Sequence, residues 1–380
     1  MITNTRIGVL GGGQLGKMLA QAGSRWNLNL WLTDKDFDFP AAAVTNKFIQ
    51  GDFTSHDLVY QLGHHVDIIT IEIENVNTDA LIKLEKEGKE IYPQPGVIQT
   101  IKDKGLQKQF YRDHAIPTSA FQLVVNASEV RKGLASGSIK LPFVQKSRTE
   151  GYDGRGVQVM HSEADLEQLF NRPSVIEELI SIKKEIAVLV ARNPAGQIVT
   201  YPAVEMAFHP TANLVEQLIS PARIDPGIEQ QAETMAKKII QDFDMVGLLA
   251  IEFFLTQEDQ LLVNEVAPRP HNSGHHTIEG NITSQYEQLL RAILDLPLGD
   301  TSIRSPAVMI NLLGEPGHQG EAHYQGLDKV LAMKDVHVHI YGKKETKPFR
   351  KMGHVTILDK DIEVAIAKAK EVARTLKVVS

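Results

Sequence analysis

Glu252 and Glu265 stand in two apolar, β-prone runs on either side of the turn-like Thr256-Gln257-Glu258-Asp259, the pattern of a β-hairpin. With the turn centred between Gln257 and Glu258, Leu255 pairs with Gln260 and Glu252 with Val263. Glu265 is then the diagonal neighbour of Glu252 on the same face, about 7–8 Å away at the backbone, and long side chains converge across such a gap. A pair of rim glutamates on an exposed strand is the plainer alternative. Against it, the hairpin is otherwise so apolar that uncompensated carboxylates would be costly. Oxygen ligands with room for waters and phosphates suit magnesium rather than zinc. Just downstream, Arg269, His271, Asn272, Ser273, His275, His276 and Thr277 crowd donors around Gly274, as an anion site requires. The stretch predicts a metal and phosphate centre.

Three other stretches carry chemistry. Lys146 to Val157 (KSRTEGYDGRGV) has three glycines in six residues, with Lys146, Arg148 and Arg155 adding charge. Its mobile backbone can fold over phosphates, although it lacks the order of a Walker A loop. Gly11-Gly12-Gly13-Gln14-Leu15-Gly16 has the spacing G-x-G-x-x-G between a strand and a helix, and Asp34 ends the next strand. Alone, this suggests a dinucleotide cofactor such as NAD; Gln14 instead offers a polar side chain that could contact a ligand directly. Glu72 and Glu74 close a strand, Asp67 to Glu74, beside that loop. Lys343, Lys344, Lys347, Arg350 and Lys351 crowd a C-terminal hairpin, either an anion site or a solvated basic tip.

These residues need an α/β framework. Strands are expected at Arg6–Leu10, Leu28–Thr33, Leu141–Lys146, Ser174–Ile180, Glu185–Arg192, Ala307–Leu312, Val336–Tyr341 and His354–Leu358. Helices are expected at Lys17–Ser24, Thr100–His114, Asn126–Ala135, Ser162–Phe170, Gln230–Phe243, Ser284–Leu294 and Ile362–Lys377, several with N-cap signals. The strand Ser174–Ile180 runs into a bend whose backbone could meet an adenine edge, with Glu185 as an acid for ribose hydroxyls. The expected division is a Rossmann-like parallel-sheet domain at 1–96, a central domain at 97–298 with a lid at about 120–180, and a small β-rich domain at 299–380.

The bulk numbers agree with a multidomain globular enzyme. The chain has 380 residues, 42% hydrophobic and 23% charged, with a formal charge of −7. Nothing basic overall invites nucleic acid. The chain has no cysteine, which removes disulfides, thiolate metal sites and a cysteine nucleophile. With no signal-peptide pattern and no membrane-length apolar run, the expected location is the cytoplasm.

The order of motifs resembles the ATP-grasp superfamily, in which two α+β subdomains hold ATP and magnesium between them. More closely, it resembles the family of N5-carboxyaminoimidazole ribonucleotide synthetases of purine biosynthesis. The resemblance rests on Gly11 to Gly16, Glu72-Ile73-Glu74-Asn75, Gly151-Tyr152-Asp153-Gly154-Arg155-Gly156, Asn264 to His275 (NEVAPRPHNSGH) and Arg350-Lys351-Met352-Gly353-His354. Glu150 stands where the family often has glycine, and His276 where an aromatic is common.

The resemblance implies that ATP lies under Gly151, Tyr152, Asp153, Gly154, Arg155, Gly156 and Val157, with Lys104 and Lys146 on its phosphates. Glu177, Glu178, Leu179 and Ile180 would border adenine and Glu185 the ribose, with His209, Asn264 and Glu265 completing the nucleotide set. Glu252 and Glu265 would hold magnesium. Arg269, His271, Asn272 and Ser273 would meet bicarbonate, and Asp153 would be the base. Gln14, Glu74, Tyr152 and Arg155 would contact aminoimidazole ribonucleotide, with Lys343 and Arg350 on its 5′-phosphate. A homodimer follows from the resemblance alone. The competing functions are a formate-dependent glycinamide ribonucleotide transformylase of the same superfamily and an NAD-dependent dehydrogenase.

Overall fold

Short, largely buried apolar strands, most of them separated by helices, build a parallel sheet in the N-terminal part of the chain. The computed structural model describes residues 2–149, 156–208 and 215–380. Its five-stranded sheet runs Lys47–Gln50, Asn29–Asp34, Arg6–Leu10, Ile68–Ile71, Glu90–Ile91, every pair parallel. The expected strand Asp67–Glu74 ends at Ile71, so Glu72 and Glu74 sit in the loop at its carboxyl edge rather than on one strand face.

The expected helix Thr100–His114 is two helices, Pro95–Lys102 and Lys104–Asp113. Asp103 divides them. Its backbone is extended, and its Oδ1 caps the second helix by accepting from Gly105 N at 2.8 Å and Leu106 N at 3.2 Å. Arg148 holds the same carboxylate through Nε and Nη2 at 2.8 and 2.7 Å, a forked contact that fixes the break. Pro95, expected to mark a boundary, occupies the first turn of the first helix, where its missing N–H costs nothing.

A four-stranded antiparallel sheet, ordered Phe121–Val124, Ser174–Glu178, Phe143–Ser147, Val157–Met160, follows. The glycine-rich loop joins the last two of these strands. Glu150, Gly151, Tyr152, Asp153, Gly154, Arg155 and His209 lie outside the described residues. Residues 162–170, expected as an α-helix, form a 3-10 turn, Glu163–Gln168, with the anticipated capping box at Ser162 and Asp165.

The main sheet is antiparallel and runs Leu261–Ala267, Gly247–Thr256, Ile182–Arg192, Val204–Phe208, Val215–Ser220, Ala307–Leu313, Lys351–Leu358, Val336–Ile340. The C-terminal strands thus extend the central sheet. Helix Pro226–Asp242 covers one face, starting earlier than expected because Asp225 caps it and Pro226 opens it. Helix Gln285–Ile293 covers the other face. Its Tyr286, Leu289 and Leu290 share one buried cluster with Leu15 and Leu19 of helix Gln14–Ser24 and with Leu189 and Ala250 of the sheet. Each such leucine is worth about 1.5–3 kcal/mol when fully buried, so this helix locks the N-terminal sheet onto the centre.

Candidate active site

The hairpin that carries the two glutamates is present, with a register different from the expected one. Leu255 pairs with Leu261, Phe253 with Val263 and Glu252 directly with Glu265. Asn264 is the extra residue of a bulge; without it, the turn would place Asn264 opposite Glu252. Bulges re-aim side chains in this way, and here both Asn264 and Glu265 meet a lysine. Asn264 Oδ1 accepts from Lys146 Nζ at 2.8 Å. Lys104 Nζ donates to Glu265 Oε2.

Lys104 reaches that carboxylate because the helix break at Asp103 re-aims the second helix. The same helix brings in Lys108, which sequence reasoning passed over as one more solvated lysine. Its position four residues after Lys104, on the same helix face, was the available signal. Lys108 Nζ lies 3.0 Å from Glu177 Oε2, and Lys146 Nζ 3.1 Å from Glu177 Oε1. Ser119 Oγ donates to the same carboxylate at 2.6 Å. Burial alone would raise the Glu177 carboxyl; the two ammoniums and the hydroxyl reverse this and hold it at about 2. Burial pushes Lys108 down to about 8, because it shares its counter-charge with Lys146. Two ammoniums on one carboxylate leave surplus positive charge, which a phosphate would offset.

Glu177 is therefore the anchor of the lysines, its side chain 3% exposed. Glu178 N is held by Ala120 O at 2.9 Å, and Leu179 and Ile180 form the short link from the four-stranded sheet to the main one. Glu185, opposite Phe254 and Met206, is raised to about 7 by burial, with Glu265 adding to the effect. Burial and the neighbouring Glu265 and Glu185 also raise Glu252, while Lys104 lowers Glu265. Glu185, Glu252 and Glu265 thus stand together, with Lys104 and Lys146 as their counter-charges. Among the described residues no group of three or more His, Asp or Glu side chains forms a metal cage. Two hard carboxylates whose remaining ligands must come from water and phosphate suit magnesium.

Arg269 Nε lies 2.9 Å from Glu74 Oε1. His271 Nε2 is 3.6 Å from Glu252 Oε1, and its Nδ1 is 2.9 Å from Ser273 Oγ. Asn272 opens the 3-10 turn Asn272–Gly274, and its buried Oδ1 has no hydrogen-bond partner among the described residues. The donors expected around Gly274 divide here. His275, His276 and Thr277 are buried, at 2%, 2% and 0% exposure, and Ser273 equally so at 1%, whereas Arg269, His271 and Asn272 keep partial exposure. Burial pushes His276 down to about 4, and an uncharged ring fits the apolar setting where an aromatic was expected.

The glycine-rich loop near the N-terminus already encloses an anion, a carboxylate of the protein itself. Leu15 N donates to Glu72 Oε1 at 3.1 Å. A Cβ at Gly11, where φ is +117°, would stand 2.4 Å from Glu72 Oε2, and one at Gly13 2.5 Å from Glu72 Oε1. Asp34, 3% exposed, accepts from Gly12 N at 2.8 Å and so supports the loop instead of facing a ribose. This arrangement contradicts the NAD reading of the motif. Gln14 opens the following helix. Lys17, also missed, donates to Ile340 O and Tyr341 O at 2.9 and 3.1 Å and ties that helix to the basic hairpin. There Lys343 Nζ donates to Lys351 O at 2.8 Å and Arg350 Nη1 to Glu345 O at 2.7 Å.

Comparison with known proteins agrees with this layout along the whole chain. An ATP-grasp domain model matches residues 109–286, a ribonucleotide synthetase preATP-grasp domain model residues 4–102, and a phosphoribosylaminoimidazole carboxylase C-terminal domain model residues 307–368. The N5-carboxyaminoimidazole ribonucleotide synthase of Bacillus subtilis is 37% identical over 93% of this chain and 91% of its own length. The chain belongs to the N5-carboxyaminoimidazole ribonucleotide synthase family.

Two solved members of that family superpose closely. The synthetase from Thermotoga maritima is 40% identical with a TM-score of 0.90, covering 99% of both chains. The Aspergillus clavatus enzyme in complex with ADP and 5-aminoimidazole ribonucleotide is 32% identical, also with a TM-score of 0.90 and 99% of both chains covered. The phosphoribosylaminoimidazole carboxylase of Candida glabrata is 39% identical over 93% of this chain, but the chain spans only 63% of that protein's length. Among the described residues no helix is long and apolar enough to cross a membrane.

Proposed function

We propose that this chain carboxylates the amine of 5-aminoimidazole ribonucleotide with bicarbonate and ATP, giving N5-carboxyaminoimidazole ribonucleotide, ADP and phosphate. The observation that carries this reading is one continuous set of charged contacts. Lys104, Lys108, Lys146, Glu252 and Glu265 belong to it, and Arg269 links it to Glu74 beside the N-terminal glycine loop.

ATP would place its phosphates against Lys104 and Lys146, with Gly156 and Val157 at the base of the covering loop and Gly151 to Arg155 over it. Adenine would meet the Glu178 to Ile180 link, whose backbone adjoins the buried Glu177, and ribose would meet Glu185; His209 would join the same set. Glu252 and Glu265, assisted by Asn264, would hold magnesium, which when bound offsets the phosphate charge that repels an anionic nucleophile. A bicarbonate oxygen positioned by Arg269, His271, Asn272 and Ser273 attacks the γ-phosphorus; the bond to ADP breaks and carboxyphosphate forms. The amine nitrogen then attacks the carbon of carboxyphosphate, expelling phosphate, or of the carbon dioxide that carboxyphosphate releases along with phosphate, and Asp153 takes the amine proton. Gln14, Glu74, Tyr152 and Arg155 would orient the ribonucleotide, with Lys343 and Arg350 on its 5′-phosphate. Excluding water protects the short-lived acyl phosphate, and that role is proposed for the loop joining Phe143–Ser147 to Val157–Met160.

The division at 1–96, 97–298 and 299–380, a homodimer and a cytoplasmic location belong to the same proposal. Its test is ADP release with a panel of acceptors. Release requiring both bicarbonate and aminoimidazole ribonucleotide supports it. Release requiring formate and glycinamide ribonucleotide replaces it with the transformylase reading.

A further inference from the structure

Gln285 opens the helix Gln285–Ile293 and is completely buried. Its carboxamide grips the peptide groups of His271 on both sides: Oε1 accepts from His271 N at 2.8 Å, and Nε2 donates to His271 O at 2.9 Å. Nε2 also lies 3.1 Å from His275 Nδ1, and the Tyr286 hydroxyl stands 3.2 Å from the same nitrogen. These contacts fix the amide orientation, since a flipped group would set its NH2 against an N–H. They also assign His275 as a neutral acceptor at Nδ1, and burial pushes its pKa well down. All the hydrogens of the carboxamide are thus used in a dry setting, where a lost partner is costly.

The surroundings are shaped around this grip. Gln285 N donates to Thr277 Oγ1 at 2.9 Å, and that hydroxyl donates to Gly274 O at 2.6 Å. A Cβ at Gly274 would stand 2.4 Å from Gln285 Oε1 and 2.5 Å from Leu189 Cδ1, so glycine leaves the space that the amide fills. On its other side, His271 faces Glu252 and Ser273. The geometry points to Gln285 as the positioning residue of the bicarbonate end of the reaction: its carboxamide fixes the His271 backbone, and with it the imidazole and the Asn272–Gly274 turn against Glu252. This inference rests on the carboxylating function proposed above. Gln285 touches no substrate and acts through His271.

The test uses the full-length chain as wild type, Gln285→Leu and Gln285→Glu. Bicarbonate-dependent ADP release is followed across a pH series, with ATP affinity measured by equilibrium binding and folding by circular dichroism. The leucine variant should bind ATP within about threefold of wild type while losing about tenfold or more in kcat/KM for bicarbonate, the scale of one lost buried hydrogen bond. In the glutamate variant, the ionised carboxyl cannot donate to His271 O, whereas the protonated one can both donate and accept. Its deficit should therefore shrink as pH falls, with His271, His275 and Tyr286 the titratable groups facing it. A folded leucine variant with unchanged bicarbonate kcat/KM would overturn the inference. So would a glutamate variant whose deficit is the same at every pH, and that profile decides the matter if the leucine variant does not fold. Absence of bicarbonate-dependent ADP release in the wild type would instead remove the functional reading itself.

Discussion

Arg269 Nε lies 2.9 Å from Glu74 Oε1, so the guanidinium proposed for bicarbonate is held by the carboxylate proposed for the ribonucleotide. The two sites share a charged pair. Replacing Glu74 should therefore affect both substrates: Glu74→Gln is expected to raise the KM for aminoimidazole ribonucleotide and to lower bicarbonate-dependent ATP turnover, each by about tenfold. Steady-state kinetics with each substrate varied in turn checks this, and an effect confined to the ribonucleotide KM would show that Arg269 does not depend on Glu74.

Glu265 has Lys104 on one side and Glu252 directly across the bulged hairpin. Glu265→Gln should abolish most magnesium-dependent ADP release, by about two orders of magnitude, since the remaining carboxylate binds a hard cation poorly. A magnesium titration of turnover measures it. Full activity at ordinary magnesium would remove Glu265 from the mechanism.

Asp153 is proposed as the base that takes the amine proton. Asp153→Asn should leave ADP binding within about threefold of wild type while carboxylated product falls by about two orders of magnitude, the scale of general-base loss. Calorimetry with ADP and product analysis separate the two effects, and retained carboxylation would move the base elsewhere.

Glu177 is a buried carboxylate held at about 2 by Lys146, Lys108 and Ser119. Its folded value lies below the ordinary 4.5, so the stability it contributes is fully present above that pH and is lost as pH falls through about 2. Glu177→Gln should cost about 3 kcal/mol at neutral pH, with Lys108, already pushed to about 8, relieving part of the penalty by losing its proton. Urea unfolding at neutral pH and again near pH 3 should show the gap between the two proteins narrowing in acid.

Glu185 has the opposite sign. Burial raises it to about 7 from 4.5, so the ligand-free fold favours its neutral form and loses stability as pH rises between those values. Glu185→Gln should melt at a higher temperature than wild type at about pH 8 and at nearly the same temperature at about pH 4.5. A stability difference independent of pH would contradict the assignment.

Most of the framework was legible because its signals are local. The capping box at Ser162 and Asp165 and the Ser284 cap stand where sequence placed them, although the N-terminal helix starts at Gln14, ahead of the expected Lys17. The Glu252 and Glu265 pair was legible as a shared face, but its direct pairing was not, because the bulge at Asn264 depends on contacts with a neighbouring element. Lys108 and Gln285 were passed over for a related reason. A lysine on a helix and a glutamine after a cap look solvated until the chain brings Glu177 and His271 against them. The glycine loop misled in the other direction: its spacing fits a nucleotide phosphate, yet the anion it surrounds is Glu72.

The central claim is that bicarbonate attacks the γ-phosphate in the cleft before the amine is carboxylated. It is tested most directly by turnover with oxygen-18-labelled bicarbonate and unlabelled ATP and water. The account predicts that each inorganic phosphate released carries one labelled oxygen, with equal formation of N5-carboxyaminoimidazole ribonucleotide. Carboxylated product accompanied by phosphate free of label would contradict it.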